Sequence, residues 1–211
     1  MPQALSLHAE TDISDLIHPP LTVESNENHV FAYTFMTSDR CLAIVKELRS
    51  VDEMLRRERL SRMLPDSFPM IPIWLHLQSD GGELYPAISL AETIPTVPSP
   101  IYGIIEGCVA SGASFVALAC TKRFMQPGAL LMVHQIQSMI GGSFAVFQDE
   151  MKALETLMAW VVQFYTSHSR LTKETVAEML KRNSYFSASE ALEAGLIDAI
   201  YEGPNTVVPL A

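Results

Sequence analysis

A serine and a histidine, a pair of residue types that can cleave a carbonyl compound, each stand next to an apolar run in this sequence. Residues 101–106 are apolar and rich in β-branched side chains, which predicts a buried strand, and an apolar run at helical spacing begins at Phe115. Ser111 is therefore expected at a strand-to-helix turn, where unpaired backbone N–H groups meet the positive end of the helix dipole. A hydroxyl held there can attack a carbonyl whose developing oxyanion the N–H groups stabilise. His134, which ends the apolar run 130–134, is a candidate for the general base.

Both residues also have an ordinary structural interpretation. A serine before an apolar helix is usually an N-cap residue, and small residues at a helix start often only allow close packing. A histidine on an apolar strand is more often part of the core than a catalyst. Taken alone, Ser111 and His134 therefore favour a structural role over catalysis.

Composition limits the class of protein. The chain has 211 residues, which suits one domain, and its 48% hydrophobic content exceeds what a monomer of this size needs, so we expect buried subunit interfaces. The net charge of −10 argues against nucleic acid as a partner. The sequence has no apolar run long enough for a transmembrane helix and no basic residue before Arg40, so we expect neither a membrane partner nor a secretory signal.

The three cysteines indicate a reducing compartment. Cys41, Cys108 and Cys120 are odd in number and show no metal-binding spacing. We therefore expect a cytoplasmic protein, or a protein of the plastid stroma if it is organelle-encoded, that holds no metal and no cofactor.

Element order predicts a single α/β domain behind an N-terminal arm. Residues 1–28 are polar, acidic and proline-bearing, which is typical of an arm with little fixed structure, and we place the domain at 29–211. From residue 30 onward, strand and helix patterns alternate, and a Gly-Gly turn at 81–82 follows the strand pattern of 71–77. This order predicts crossover βαβ units and a largely parallel sheet.

The second half of the chain adds a long amphipathic helix. Residues 145–168 carry an apolar stripe, which is usually core or interface, and 137–143 should be an exposed extended segment. The pattern of residues 171–182 predicts a further helix. Residues 187–190 form a capping box, and the pattern of residues 196–200 predicts a final strand.

Four motifs in a fixed order resemble the proteolytic subunit of the Clp protease, ClpP, a family of serine peptidases with a crotonase-like fold. They are Ser-Asp-Gly-Gly at 79–82, the small residues 107–113 around the serine, Met-Val-His-Gln at 132–135, and 185–191 leading to Gly-Leu-Ile-Asp at 195–198. Each motif alone is weak, but together, at compatible spacings over about residues 29–202, they are specific.

The resemblance implies roles for particular residues. Ser111 would be the nucleophile, His134 the general base, and the N–H groups of Gly82 and Gly112 the oxyanion hole. Residues of about 137–168 would form a protruding handle through which two heptameric rings meet to make a tetradecamer. Unfolded polypeptides would be the substrates, and an unfoldase of the AAA+ type would be the partner.

The sequence departs from the family pattern at several places. The third catalytic residue of the family is an aspartate, and the matching position here is Asn183, whose amide oxygen can orient the histidine but carries no charge to stabilise an imidazolium. Lys181 replaces an acidic neighbour of Arg182, and Ile136 replaces a proline. Residues 56–70 are expected to be an insertion, and the arm does not match the usual start of the family.

Two alternative functions remain open at this point. One is a weakly active or structural ring subunit that works in mixed rings with a paralogue, which Asn183 favours. The other is a crotonase-type acyl-CoA enzyme, which shares the fold but does not need the serine and histidine motifs.

Overall fold

A computed structural model of the chain describes residues 22–65, 67–203 and 206. The strands in these residues are β1 (Thr22–Asn26), β2 (His29–Tyr33), β3 (Ile73–Ser79), β4 (Ile101–Ala110), β5 (Lys122–Met125), β6 (Leu130–Val133), β7 (Ser184–Phe186) and β8 (Ala199–Ile200). The helices are α1 (Ser38–Ser61), α2 (Leu84–Thr93), α3 (Gly112–Leu118), α4 (Phe144–Ser167), α5 (Lys173–Met179) and α6 (Ala188–Glu193), and a short 3₁₀ turn, Ile94–Thr96, follows α2.

The strands form one mostly parallel sheet, as predicted. The main order is β1-β2-β3-β4-β5-β8, and every pair along it is parallel except β1 with β2. The helices α1, α2 and α3 each connect two parallel strands, which is the crossover βαβ arrangement. The α/β class expected from the alternating pattern is therefore confirmed.

Strand β4 has two different partners along its length, and this brings the candidate residues together. Its first half pairs with β5, from Tyr102 to Ile105, and its second half pairs with β6, from Cys108 to Ala110. Between the halves, Gly107 has a φ of 54°, a conformation that side-chain-bearing residues rarely adopt. The bend turns the end of β4 toward β6, and therefore brings the segment after β4 close to the segment after β6.

The N-terminal boundary of the domain lies earlier than expected. The prediction of an arm with little fixed structure over 1–28 is wrong for Thr22–Asn26, which form β1 and pair in antiparallel register with β2. The turn between them is tight, with Glu27 at a φ of 53°. Residues 1–21 lie outside the described part of the chain. The expected 56–70 insertion begins as a continuation of α1, which runs to Ser61.

Helix boundaries follow the apolar and capping patterns closely. The capping box at Ser187 and Glu190 has both of its hydrogen bonds and opens α6 as predicted. Only the last turns of α4 are buried, through Val161, Phe164 and Tyr165, whereas its first half is exposed. Within the described residues, no helix is both long enough and apolar enough to cross a bilayer.

The sheet face that carries alternate side chains of β2, β3 and β4 holds a chain of hydrogen bonds between titratable groups. His29 Nδ1 lies 2.9 Å from His76 Nε2, and His76 Nδ1 lies 3.0 Å from Glu106 Oε1. The Tyr33 hydroxyl and the Gln126 side-chain amide also donate to the Glu106 carboxylate. His29 Nδ1 and His76 Nε2 form a hydrogen bond only when one of these two nitrogens carries a hydrogen and the other does not. Full protonation of both rings would therefore place two donors opposite each other.

The directions of the pKa shifts agree with this geometry. Burial, and then the neighbouring His76, lower the pKa of His29, although Glu27 acts in the opposite direction. Burial alone would raise the pKa of Glu106, but the hydrogen bonds from His76 and Tyr33 outweigh it and lower the pKa. The folded chain therefore prefers a neutral His29 and an ionised Glu106.

We expect stability to fall in two steps as the pH is lowered. Because the pKa of His29 is below its ordinary 6.5 in the fold, the unfolded chain takes up that proton first, and stability falls as the pH drops below about 6.5. The contribution of Glu106 is present above its ordinary pKa of 4.5 and is lost as the pH falls through its lower folded value. In His29→Asn, which keeps a donor but does not titrate, the apparent urea midpoint should vary less between pH 7 and 5.5. His168→Asn is the matched control, and a pH dependence in His29→Asn equal to that of the parent would contradict the assignment.

Candidate active site

Ser111 has a strained backbone conformation at the junction of β4 and α3. Its φ is 55° and its ψ is −128°, and such a conformation in a residue other than glycine costs roughly 1–3 kcal/mol. Two elements hold it: the Ser111 N–H donates to the Met132 carbonyl of β6 at 2.9 Å, and the Ser111 carbonyl accepts from the Ser114 N–H at 3.0 Å. The strand-to-helix turn predicted from the sequence is therefore present, in a sharp and strained form.

The Ser111 side chain does not cap the helix that it precedes. Ser111 occupies the N-cap position of α3, yet its hydroxyl makes no capping hydrogen bond. It lines a surface cavity of about 430 Å³ instead. Ser111 is therefore the N-cap residue by position, but its side chain does not cap the helix, and the hydroxyl is available to a ligand.

The glycine turn after β3 presses directly against this serine. Gly81 has a φ of 97°, and a Cβ placed on it would lie 2.7 Å from the Ser111 Cβ and 2.8 Å from the Ala110 carbonyl oxygen. The buried Ser79 hydroxyl accepts a hydrogen bond from the Gly81 N–H at 3.1 Å and fixes the turn. Only a residue without a side chain allows this approach.

Two backbone N–H groups at the cavity have no partner in the described part of the chain. The Met36 N–H donates to the Gly81 carbonyl at 2.8 Å, and the Glu83 N–H donates to the Met36 carbonyl at 2.7 Å. The Gly82 N–H, which lies between them in the chain, takes no part in these hydrogen bonds. Gly112 is the first residue of α3, where the N–H has no intrahelical acceptor. Both glycines line the same cavity as Ser111.

The cavity joins a polar side to an apolar side. Ser111 and His134 lie in its wall together with Asp80 and Gln135. The apolar side chains of the wall belong to Leu84, Phe115, Ile136 and Val161. The arrangement fits an extended chain that presents polar backbone and an apolar side chain.

His134 lies in the cavity wall but is not oriented by a partner. It follows the last residue of β6, and its Nδ1 is buried with no hydrogen-bond partner. A buried ring nitrogen left in this state costs about 1–3 kcal/mol. Among the described residues, no hydrogen bond joins the ring to Ser111.

Strand register places Asn183 beside His134. The antiparallel pairing of β6 with β7 runs from Leu131 with Phe186 to Val133 with Ser184, so the next step opposes His134 and Asn183. Asn183 is nevertheless exposed, and no hydrogen bond connects it to the ring in the part of the chain that the structure describes. The backbone register brings the two residues together, whereas no hydrogen bond joins their side chains in the described part of the chain.

Three acidic residues, Asp198, Asp149 and Glu150, do not line the cavity and have other environments. Asp198 binds Arg123, with 2.9 Å between Oδ1 and Nη2, and accepts from the Arg123 backbone N–H at 2.8 Å. Burial would raise the pKa of Asp198, but these bonds to Arg123 lower it. Asp149 and Glu150 are exposed on α4. Within residues 22–65, 67–203 and 206, no group of three His, Cys, Asp or Glu side chains could hold a metal ion.

Sequence reasoning missed one contact beneath Ser111. The Ser114 hydroxyl donates to the Ser111 carbonyl at 2.5 Å and lies 2.6 Å from the Tyr165 hydroxyl. Nothing in the local pattern identifies this contact, because Ser114 reads as a small helix residue and Tyr165 as part of the apolar stripe of α4.

Comparison with curated proteins finds a consistent set of relatives. The chain is 28% identical over 141 residues to ATP-dependent Clp protease proteolytic subunit 1 of Streptomyces avermitilis, covering 66% of this chain and 65% of that protein. It is 30% identical to proteolytic subunit 2 of Cutibacterium acnes, covering 65% and 66%, and 25% identical to proteolytic subunit 2 of Treponema denticola, covering 84% and 88%. The chain thus spans slightly less than two thirds of the length of the first two relatives.

Solved structures and family models agree with these relatives. An Asn→Asp mutant of ClpP1 from Listeria monocytogenes superposes with a TM-score of 0.72 at 18% identity, covering 85% of this chain and 94% of that one. The ClpP-like fold expected from the sequence is therefore confirmed. A family model described as Clp protease matches residues 25–204. Because this match covers most of the chain, the chain belongs to the Clp protease family.

Proposed function

We propose that the chain is a serine endopeptidase subunit of a Clp-type ATP-dependent protease that cleaves unfolded polypeptides. The observation that carries the proposal is the free Ser111 hydroxyl on a strained turn, which faces a cavity that also holds His134 and two unpaired backbone N–H groups. A nucleophile, a base and an oxyanion site within one cavity are the parts that acyl transfer needs.

The proposed reaction begins with attack of Ser111 Oγ on a peptide carbonyl. His134 takes the hydroxyl proton as the new C–O bond forms, and the carbonyl oxygen becomes an oxyanion that the N–H groups of Gly82 and Gly112 stabilise. The protonated ring then gives its proton to the leaving amine as the C–N bond breaks. Water repeats the sequence on the acyl-enzyme and releases the acid with the serine restored.

The apolar wall favours a particular substrate. Phe115 and Val161 are buried and lie in the cavity beside Ser111. A peptide whose residue next to the scissile bond has an apolar side chain would pack that side chain against this wall and remove its own apolar surface from water. Peptides with an apolar residue at that position are therefore the appropriate substrates for an assay.

A second candidate is a weakly active subunit that depends on assembly or on a paralogue. The buried and unpartnered Nδ1 of His134 favours it, because the ring has no group that fixes its tautomer. The proposed partner, Asn183, is neutral and exposed. Both candidates use the same chemistry and differ in rate.

Assembly is proposed from the outer half of α4. Phe144, Val146, Phe147 and Met151 are exposed there, as is Met139 in the preceding segment. A face of this kind is expected to be covered in a stable protein. We infer that two heptameric rings meet through α4 and enclose the cavity, and that a AAA+ unfoldase supplies unfolded chains. Mixed rings with a paralogue would use the same surface.

Replacement of the nucleophile tests the chemistry. Ser111→Ala should lower hydrolysis of a short peptide by about 10⁴–10⁶-fold, as loss of a catalytic serine does elsewhere, and should abolish labelling by a fluorophosphonate probe. Ser89→Ala, an exposed serine on α2, is the matched control and should be labelled like the parent. Labelling that persists in Ser111→Ala would exclude this nucleophile. Parent protein that is unlabelled but turns over an acyl-CoA would indicate a crotonase-type enzyme.

Restoring a charge beside His134 tests the role of Asn183. Asn183→Asp should raise kcat for a short peptide, because a carboxylate stabilises the imidazolium that forms in the transition state. A gain of about tenfold corresponds to ~1.4 kcal/mol, just below the roughly 1.5–3 kcal/mol of a charge-assisted hydrogen bond. Asn26→Asp, which is exposed on β1, controls for the added charge. Unchanged or lower kcat with intact assembly would show that another residue orients His134.

A charge on α4 tests the assembly. Fourteen copies of the 23.4 kDa chain have a mass of about 330 kDa, which light scattering can measure. Phe147→Asp places a carboxylate in the proposed contact and should reduce the mass to that of single rings or smaller species. Met63→Asp changes an exposed apolar residue outside α4 and should leave the mass unchanged. A parent protein that is monomeric at micromolar concentration would contradict the proposal.

A further inference from the structure

Two buried hydroxyl groups connect α4 to the peptide group that follows the nucleophile. The Tyr165 hydroxyl lies 2.6 Å from Ser114 Oγ, and Ser114 Oγ donates to the Ser111 carbonyl oxygen at 2.5 Å. The Ser114 backbone N–H donates to the same oxygen at 3.0 Å. Ser114 and Tyr165 are at most 1% exposed, so solvent does not replace either partner.

The number of available hydrogens determines which group donates and which accepts in these two hydrogen bonds. A carbonyl oxygen can only accept, so the Ser114 hydroxyl donates its single hydrogen to the Ser111 carbonyl oxygen. Tyr165 must then donate to Ser114. Burial raises the pKa of Tyr165, which keeps the phenol protonated and able to donate.

The carbonyl held in this way belongs to the same peptide group as the Gly112 N–H. A trans peptide group is planar, and its C=O and N–H point in opposite directions. Hydrogen bonds that hold the Ser111 carbonyl toward Ser114 therefore direct the Gly112 N–H away from it, and Gly112 lines the cavity. A carbonyl that accepts two hydrogen bonds also polarises its peptide group and makes the N–H a stronger donor.

We propose that Tyr165 and Ser114 are positioning residues that aim and polarise the Gly112 N–H as a donor to the oxyanion. Tyr165 acts through Ser114 and contacts no reacting atom. The inference rests on the proposed peptidase function and adds to it a connection between α4 and the oxyanion donor. Tyr165 lies on the buried end of α4, so a displacement of this helix changes the oxyanion donor as well as the outer surface.

Tyr165→Phe removes one hydroxyl and keeps the aromatic ring, which packs 5.5 Å from Phe115 between centroids. We expect kcat for a short peptide to fall about three- to tenfold with little change in KM, the range for loss of one hydrogen bond. A peptide boronate forms a tetrahedral anion on the serine, so its affinity should fall by the same factor. A purely structural role for Tyr165 would not make kcat and the boronate affinity fall by the same factor.

The double variant tests whether Tyr165 acts through Ser114. Tyr165→Phe should have no further effect on kcat in a Ser114→Ala background, whereas two independent contributions would multiply. Tyr102→Phe is the control, since it removes the hydroxyl of a half-buried tyrosine whose hydroxyl makes no hydrogen bond in the described part of the chain. Its kcat should equal that of the parent.

The outcomes separate this inference from the proposed function. A parent that no fluorophosphonate labels overturns the proposed function, and the inference falls with it. A labelled parent with unchanged kcat and boronate affinity in Tyr165→Phe, or with multiplicative losses in the double variant, overturns the inference alone. Mass and melting temperature are measured for each variant, and where Tyr165→Phe fails to assemble, Ser114→Ala alone must show the same loss of kcat and boronate affinity for the inference to stand.

Discussion

The backbone conformation of Ser111 is the constraint on which the rest of the site depends. A positive φ at a residue with a side chain persists only where the surroundings impose it. Here Met132 of β6 holds the N–H, and Ser114 of α3 holds the carbonyl. Gly81 must lack a side chain because the turn lies against Ser111. The strain is local, but the elements that maintain it come from distant parts of the chain.

Strand β4 supplies both the rigidity and the strain. Before Gly107 it lies inside the sheet, and Glu106 accepts hydrogen bonds from His76, Tyr33 and Gln126. After Gly107 it leaves β5 for β6 and ends at the strained serine. This polar network anchors the middle of the strand, next to the bend, and so opposes a shift of β4 that would relieve the strain at Ser111.

Sequence reasoning succeeded where the information was local and failed where it depended on contacts between distant segments. The parallel sheet, the α6 capping box and the turn at Ser111 follow from short patterns of residue type. β1 was missed because its five residues are polar enough to resemble an arm and gain order only by pairing with β2. Whether Asn183 touches His134 is decided by side-chain placement at the end of the β6–β7 pair. Strand register predicts that the two residues are near each other but not that their side chains interact. The sequence alone therefore predicts a hydrogen bond between Asn183 and His134 that is absent from the described part of the chain.

Helix α4 has two chemically different ends, and its position affects both. Its outer half exposes Phe144, Val146, Phe147 and Met151, which the proposed assembly would cover. Its inner end supplies Val161 to the cavity and Tyr165 to the bonds beneath Ser111. A helix of 24 residues is stiff on the scale of one hydrogen bond, so a contact at the outer half restricts the inner end as well. Hydrogen-bond strength falls steeply as the donor angle departs from linearity, so the direction of the Gly112 N–H is sensitive to where α4 lies. In the proposed peptidase, the contact through the outer half of α4 and the oxyanion donor would therefore both depend on the position of this one helix.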